Sequence, residues 1–148
     1  MRSWKTFAAA EPELAAFGAQ RLGGGVAYLA TVKADGSPRL HPVTPIIGEE
    51  QLFLFMEPTS PKGHDLRRDG RYALHCAVRD SGGGEGEFLV SGQATFVEDP
   101  SLRAEAIRSA SYTPQERYIL FTLSVESAQA TIYGESGPVR RRWKNDLK

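Results

Sequence analysis

Hydrophobic positions change their spacing several times along the chain, and each change predicts a new element. In the segment Glu11–Leu22, Leu14 and Phe17 fall near one face at helical spacing. Pro12 suits the first helical position, because its missing N–H needs no partner there. The pattern predicts a helix from Glu11 to Leu22, ended by the glycines at 23–25.

After this helix, short apolar and β-branched runs replace the helical spacing and predict strands. The predicted strands are Val26–Lys33, Pro38–Ile47, Gln51–Glu57, Arg71–Arg79, Glu87–Glu98, Arg117–Val125 and Ala128–Tyr133. Gly36 predicts a hairpin between the first two strands, and a tight turn at Glu126–Ser127 is expected between the last two. Three prolines in the second strand cannot donate to a ladder, so we expect that strand to lie at an edge or to be irregular.

Two further helices are predicted between groups of strands. The first has Ser60 as its N-cap and Gly70 near its end. The second opens at Asp99–Pro100 and has Leu102, Ala106 and Ala110 along one face. Most strands are joined as hairpins, with the helices inserted between groups. This order predicts a mainly antiparallel, closed or partly closed sheet of the split β-barrel type, with about six to seven strands and a few flanking helices.

Composition narrows the class of protein. The 148 residues suit one domain, 1–148, and carry 18 basic and 18 acidic side chains. A nucleic-acid-binding protein normally has a basic excess, and no apolar run approaches the length of a membrane span, so neither partner is expected. Cys76 is the single cysteine, and its alternation with Leu74 and Val78 predicts a buried small side chain. A cytoplasmic location is the expected default.

Candidate chemistry begins on the second predicted strand. Side chains alternate across a strand, so Arg39, His41 and Val43 share one face, and Leu40 lies on the other, with Pro42 and Thr44 on the same strand. We expect the apolar side to face the core and the Arg39/His41 side to line a groove.

A phosphate site is predicted at the start of the helix that follows Ser60. The N–H groups of a helix start attract anions, Ser60 adds a hydroxyl, Lys62 adds a positive charge, and Arg39 is placed to reach the same anion. Ser91 and Gln93 are polar positions within an apolar strand that suit hydrogen bonding to a ligand edge with carbonyls and ring nitrogens.

Each of these residues also has a purely structural interpretation. Arg39 suits a surface ion pair, His41 suits packing beside prolines, Ser60 suits a simple helix cap, and Gln93 suits an exposed strand position. The chain has no metal-binding pattern, because His64 and His75 lack ligand-spaced partners.

The segment Gly134–Lys148 is polar and basic and holds Trp143 beside Arg140–Arg142. One interpretation is a loose terminus. The other is a tail that folds over the ligand groove, so that Trp143 covers a ring and the arginines meet an anion.

The ordered combination YLATVKADGSPRLHPVTP, LFLFMEPTSPKGHDLRRDGRYALHC and GEFLVSGQATFVED resembles the pyridoxamine 5'-phosphate oxidase-like, FMN-binding split-barrel family. The resemblance implies a flavin-dependent oxidoreductase that forms a homodimer, with FMN at the subunit interface and a small-molecule substrate. The implied cofactor-binding residues are Arg39, His41, Pro42, Val43, Thr44, Phe55, Met56, Ser60, Lys62 and Gln93.

The resemblance leaves the cofactor and the substrate open. Relatives with the same barrel use the deazaflavin coenzyme F-420, as the DLRRDG segment suggests, and others handle heme. The tail VRRRWKNDLK does not match the substrate-binding region of pyridoxamine phosphate oxidases, so oxidation of vitamin B6 is not expected. The alternatives to an FMN enzyme are therefore an F-420-dependent reductase and a non-catalytic flavin- or heme-binding protein.

Overall fold

A computed structural model of the chain describes residues 2–23 and 25–146. Within these ranges it contains four helices and nine strands, and every strand pairing is antiparallel. The helices are α1 (Trp4–Ala10), α2 (Pro12–Leu22), α3 (Pro61–Arg68) and α4 (Pro100–Ser109). The strands are β1 (Ala27–Val32), β2 (Pro38–Val43), β3 (Ile46–Ile47), β4 (Leu52–Met56), β5 (Arg71–Cys76), β6 (Glu87–Val97), β7 (Ile119–Leu123), β8 (Ser127–Gly134) and β9 (Gly137–Lys144).

The strands form one curled sheet in the order β2-β1-β5-β6-β7-β4-β3, with β8 paired to β6 and β9 paired to β8. The eleven-residue strand β6 joins the two halves of the sheet, since its first part pairs with β5 and β8 and its last part with β7. This half-barrel with flanking helices confirms the predicted fold class. The strand count exceeds the predicted six to seven in the described residues, mainly because of the short β3 and the C-terminal β9.

The tight turn predicted at Glu126–Ser127 is wrong. Strands β7 and β8 do not pair with each other, because both run antiparallel to β6 along the same edge. The N–H groups of Ser124 and Glu126 donate to the carbonyls of Gln93 and Ser91, so the chain continues without reversing. Gly92 permits this close approach, because a Cβ there would lie 2.2 Å from the Ser124 carbonyl oxygen.

The second predicted strand is interrupted, and its exposed and buried faces are the reverse of those predicted. It divides into β2 and β3 around Thr44 and Pro45, as its prolines had indicated. Arg39, His41 and Val43 do share one face, opposite Thr31, Leu29 and Ala27 of β1. The expectation that the Leu40 side of this strand faces the core is wrong, because Leu40 is 70% exposed. The side chain of Arg39, on the other face of the strand, is partly buried instead.

Both chain ends are more ordered than the sequence pattern indicated. Helix α1 was not predicted; Ser3 caps it by accepting a hydrogen bond from the Thr6 N–H. The basic segment 134–146 forms the end of β8 and the strand β9, and residues 147–148 of the predicted tail lie outside the described residues. Trp143 contacts the ring of Phe7 at 5.2 Å between centroids, so the two ends of the chain pack together. The loose-terminus interpretation is therefore wrong for β9.

The main core lies between the sheet and helices α1 and α2, which contribute Trp4, Phe7, Leu14 and Leu22 to it. Phe88 of β6 is fully buried against α2, and Gly18 makes that contact possible, because a Cβ there would lie 2.4 Å from the Phe88 ring. A smaller cluster under α4 contains Ala106 and Phe55. Cys76 is buried, as predicted. None of the helices in the described residues combines the length and the apolar character that crossing a bilayer requires.

Candidate functional site

A groove of about 330 Å³ opens where the two edges of the curled sheet come together. Residues 42–44 at the end of β2 form one side, and residues 55–57 at the end of β4 form the floor. Strands β2 and β4 belong to opposite halves of the sheet, and the chain between them is short, so the groove is built at the split of the barrel. This volume falls at the lower end of the range of small-molecule sites.

Two tyrosines complete the groove from the far side. Tyr112 and Tyr118 lie in the segment that connects α4 to β7, and both line the groove. Burial raises the pKa of Tyr112, with a further contribution from Tyr118, so the Tyr112 phenol is protonated near neutral pH. The groove therefore has aromatic and apolar surfaces with a phenol donor at one side.

The charge of the groove comes from Lys62 at the start of α3. Its ammonium is partly buried and donates to Ser60 Oγ at 2.9 Å. Desolvation by burial lowers the pKa of Lys62, and among the described residues no carboxylate forms an ion pair with it. Glu57 is the acidic residue that lines the groove, and its carboxylate is bound by the Arg117 guanidinium at 2.5 to 3.0 Å. A partly buried, unpaired cation beside a helix start favours an anionic ligand.

Six of the ten sequence-predicted residues line this groove: Pro42, Val43, Thr44, Phe55, Met56 and Lys62. Ser60 lies directly behind them, almost fully buried at the N-cap position of α3. Its hydroxyl makes no capping bond and instead accepts the Lys62 hydrogen bond. Ser60 therefore positions the cation.

Arg39 and His41 are directed to other partners. Arg39 Nε donates to Asp65 Oδ2 at 2.6 Å, and this carboxylate also accepts from Thr31 Oγ1 and Arg68 Nη2. Burial acts to raise the pKa of Asp65, but the three hydrogen bonds outweigh it and hold the pKa below its ordinary value. His41 is exposed, and its Nδ1 lies 2.8 Å from the Pro42 carbonyl oxygen. Arg39 therefore forms an ion pair, as one of its two interpretations predicted, but its partner Asp65 is buried and not on the surface.

Gln93 lies in a different cleft. It lines a space of about 430 Å³ between the end of α3 and the last part of β6. The Arg67 guanidinium lies over the Phe96 ring in the same cleft, at 4.1 Å from the centroid. The structure of one chain therefore separates Gln93 from the groove that contains Lys62.

Three further residues line the groove and were not predicted from the sequence: Glu57, Tyr112 and Tyr118. Glu57 was within a predicted strand, and its position next to the phosphate segment was the available signal. The tyrosines lie in the loop after α4, where no periodic pattern indicates which side chains face the groove. Their proximity to it depends on how α4 packs across β3.

The curled antiparallel sheet, the flanking helices and the groove at the split define the protein as a split β-barrel. The profile of the family described as pyridoxamine 5'-phosphate oxidase matches residues 12–132. The chain belongs to the pyridoxamine 5'-phosphate oxidase family. Proteins of this family bind flavins.

Solved structures with the same fold differ in what they bind. PhzG from Burkholderia lata 383, solved with tetrahydrophenazine-1-carboxylic acid, is 17% identical with a TM-score of 0.66, over 96% of this chain and 87% of its own. HutZ, the heme storage protein from Vibrio cholerae, is 19% identical with a TM-score of 0.61, over 85% of this chain and 92% of its own.

A heme binding protein from Mycobacterium smegmatis is 18% identical with a TM-score of 0.66, over 81% of this chain. The chain spans about half of that protein's length, 52%. No curated protein sequence matches this chain. At these identities the likeness establishes the fold and leaves the ligand of this chain to its own residues.

Proposed function

We propose that this protein is an FMN-dependent oxidoreductase that holds the flavin in the groove between β2, β4 and α3, in a homodimer. The observation that carries the proposal is the Lys62 ammonium, partly buried at the start of α3 without a carboxylate partner among the described residues. The Lys62 charge, the Ser60 hydroxyl and the first-turn N–H groups are the donors that a phosphate group needs.

The remaining surface fits the ring of a flavin. Val43, Phe55 and Met56 offer an apolar floor, and Tyr112 and Tyr118 offer aromatic faces. Thr44 adds a hydroxyl at the edge of the same groove. When bound, FMN supplies the hydride-transfer chemistry, and the residues of the chain bind and orient it.

Support for a homodimer comes from the outer surface of the sheet. Tyr28, Leu40, Pro42 and Leu89 lie on one face, because their register partners on β1 and β5 align them; we call this the exposed sheet face. Tyr28 is 43% exposed, Leu40 70% and Leu89 37%. Exposed apolar side chains aligned on one face of a sheet favour a protein interface. Pro42 also lines the groove, so a partner on this face would lie beside the ligand.

A dimer could also bring to the groove those predicted residues that lie away from it within one chain. In the proposed dimer, Gln93 and strand β9 would reach the groove of the partner chain, because neither lines the groove of its own subunit. Because Trp143 contacts Phe7 and Arg141 is paired with Glu13 of α2, the arginines of β9 that could contact a partner are Arg140 and Arg142 on its other face.

The second candidate function is non-catalytic binding of heme or flavin. It is favoured by the two heme proteins with this fold and by the phenols of Tyr112 and Tyr118, since tyrosine is one of the side chains that bind heme iron. A reductase that uses coenzyme F-420 is the alternative within the enzymes, because a deazaflavin presents the same combination of ring and phosphate.

The absorbance spectrum of the purified protein tests these candidates. The proposal is supported if the spectrum shows the two absorbance bands of a flavin and if denaturation releases FMN from the protein. A Soret band after incubation with hemin, together with no binding of FMN, supports the heme candidate instead. Binding of F-420 in preference to FMN contradicts the FMN assignment. Reduction of bound flavin by an added reductant, without transfer to any acceptor tried, favours the binding function over catalysis.

A further inference from the structure

One guanidinium binds the second half of the segment that carries the two groove tyrosines. Arg103 of α4 donates from Nη1 to the carbonyl oxygen of Tyr118 at 2.8 Å. Its Nη2 donates to the carbonyl oxygens of Glu116 at 3.0 Å and Gln115 at 3.3 Å. These carbonyls belong to an irregular connection, which has no strand or helix partner of its own to fix it.

The same guanidinium also contacts the floor of the groove. It lies over the ring of Phe55, 5.1 Å from the centroid, and Phe55 lines the groove. Helix α4 is itself anchored, because Ala106 is fully buried in the cluster that contains Phe55 and Phe53. Arg103 therefore connects a fixed helix, the groove floor and the loop that carries the tyrosines.

The loop is short and tightly held between these points. The Tyr118 N–H donates to the Gln115 carbonyl oxygen at 3.0 Å, which closes a turn just before β7. Farther along the groove, the Arg117–Glu57 ion pair ties the same turn to the end of β4. Tyr112 lies nearer the start of the loop, lines the groove and is 37% exposed.

We propose that residues 110–118 form the wall that recognises the ring of the ligand, and that Arg103 is the positioning residue that sets this wall. The wall takes a planar aromatic ring with hydrogen-bond acceptors at its edge, while Lys62 takes the phosphate at the other end of the groove. The proposal rests on the proposed function, because the ring it assigns to the wall is that of the bound flavin. Recognition is thereby divided between two separate parts of the chain.

Three probes separate the two parts of the ligand. FMN has both ring and phosphate, riboflavin has the ring alone, and ribitol 5-phosphate has the phosphate alone. Flavin binding is measured by fluorescence titration and ribitol 5-phosphate binding by calorimetry, on the full-length protein. The variants are Arg103→Met and Arg103→Lys, with Arg108→Met as the matched control, because Arg108 is an exposed arginine on the same helix.

We expect Arg103→Met to lower the affinities for FMN and for riboflavin by the same factor, about tenfold. The affinity for ribitol 5-phosphate should be unchanged. Arg103→Lys should behave like Arg103→Met, because an ammonium lacks the planar fork that reaches several carbonyls at once. Arg108→Met should change none of the three affinities. Tyr112→Leu should reproduce the ring-specific loss without altering the Arg103 hydrogen bonds.

Other results would overturn the inference. Equal weakening of all three probes by Arg103→Met, with a lowered melting temperature, assigns Arg103 to the fold alone. Unchanged flavin affinity in both Arg103→Met and Tyr112→Leu would show that residues 110–118 do not recognise the ring. The proposed function would not be affected by that result. Wild-type protein that binds neither flavin overturns the proposed function, and the inference with it.

Discussion

Arg39 Nε donates to Asp65 Oδ2 at 2.6 Å, and this bond fixes strand β2 to helix α3. Asp65 is almost completely buried and is also bound by Thr31 of β1. The two elements that flank the groove, β2 and α3, are thereby held at a constant separation. An arginine that the sequence marked as an anion ligand thus has its nearest partner within the chain.

Removing the arginine should destabilise the protein more than an exposed pair would. Arg39→Ala leaves a buried carboxylate without its main partner, and we expect the free energy of unfolding to fall by about 3 kcal/mol. Urea denaturation measures the change. Arg71→Ala is the matched control, because the Arg71 side chain is exposed and its pair with Asp69 should contribute much less to stability than the pair with the buried Asp65. Loss of flavin affinity in Arg39→Ala at unchanged stability would instead make Arg39 a direct ligand.

Acid should weaken the same contact. Hydrogen bonds hold the pKa of Asp65 below its ordinary value of 3.8, so the folded state binds this proton less readily than the unfolded chain. The stabilisation is complete above the unfolded value and is lost as the pH falls through the folded value. We expect the stability difference between wild type and Asp65→Asn to shrink as the pH falls below about 4. A difference that stays constant down to pH 2 would contradict this, and paired denaturation curves decide it.

Lys62 should contribute to phosphate binding alone. Lys62→Ala removes the unpaired cation, and we expect FMN affinity to fall by about tenfold while riboflavin affinity is unchanged. Fluorescence titration of both flavins gives the comparison. Lys5→Ala is the control, because Lys5 is exposed on α1 and paired with Glu50. If FMN and riboflavin are weakened equally, the phosphate is bound elsewhere.

Leu40 should lie in the interface of the proposed dimer. Leu40→Glu places a charge on the exposed sheet face, and burying an unpaired carboxylate opposes association. We expect light scattering to report a monomer for this variant and a dimer for the wild type at micromolar concentration. Ile107→Glu serves as the control, because Ile107 is an exposed apolar residue on α4, away from that face. A monomeric wild type that still binds flavin would exclude the shared site.

Trp143 should stabilise the closure of the two chain ends. Trp143→Ala removes the contact with Phe7, and we expect the free energy of unfolding to fall by about 2 kcal/mol, less than for a fully buried tryptophan. Val139→Ala on the same strand is the control, because Val139 is 60% exposed. Truncation after Pro138 should destabilise the protein as well, since it deletes most of β9. Unchanged melting temperatures in Trp143→Ala and the truncated chain would show that the contact contributes nothing.

Much of the fold could be predicted because local patterns are strong where an element is amphipathic or capped. Helix α2 begins at Pro12, as predicted, and the apolar run Leu52–Met56 is a fully buried strand. Helix α1 escaped prediction because seven residues provide little periodic signal, although Trp4 and Phe7 share one buried face. The β7–β8 connection was misjudged because a polar pair such as Glu126–Ser127 is equally compatible with a turn and with a continuing edge.

The alternation of elements, the family-like order of motifs and the position of Lys62 at a helix start could be predicted, because they depend on neighbours a few residues apart. Packing in three dimensions fixed the pairing of Arg39 with Asp65, 26 residues away, and the outward orientation of Leu40. It likewise brought Tyr112 and Tyr118 to a groove formed by strands far from them in sequence. These arrangements depend on which faces of the strands and helices pack together when the sheet curls. The free energy of that packing is spread over contacts between residues far apart in sequence, so no local pattern predicts it.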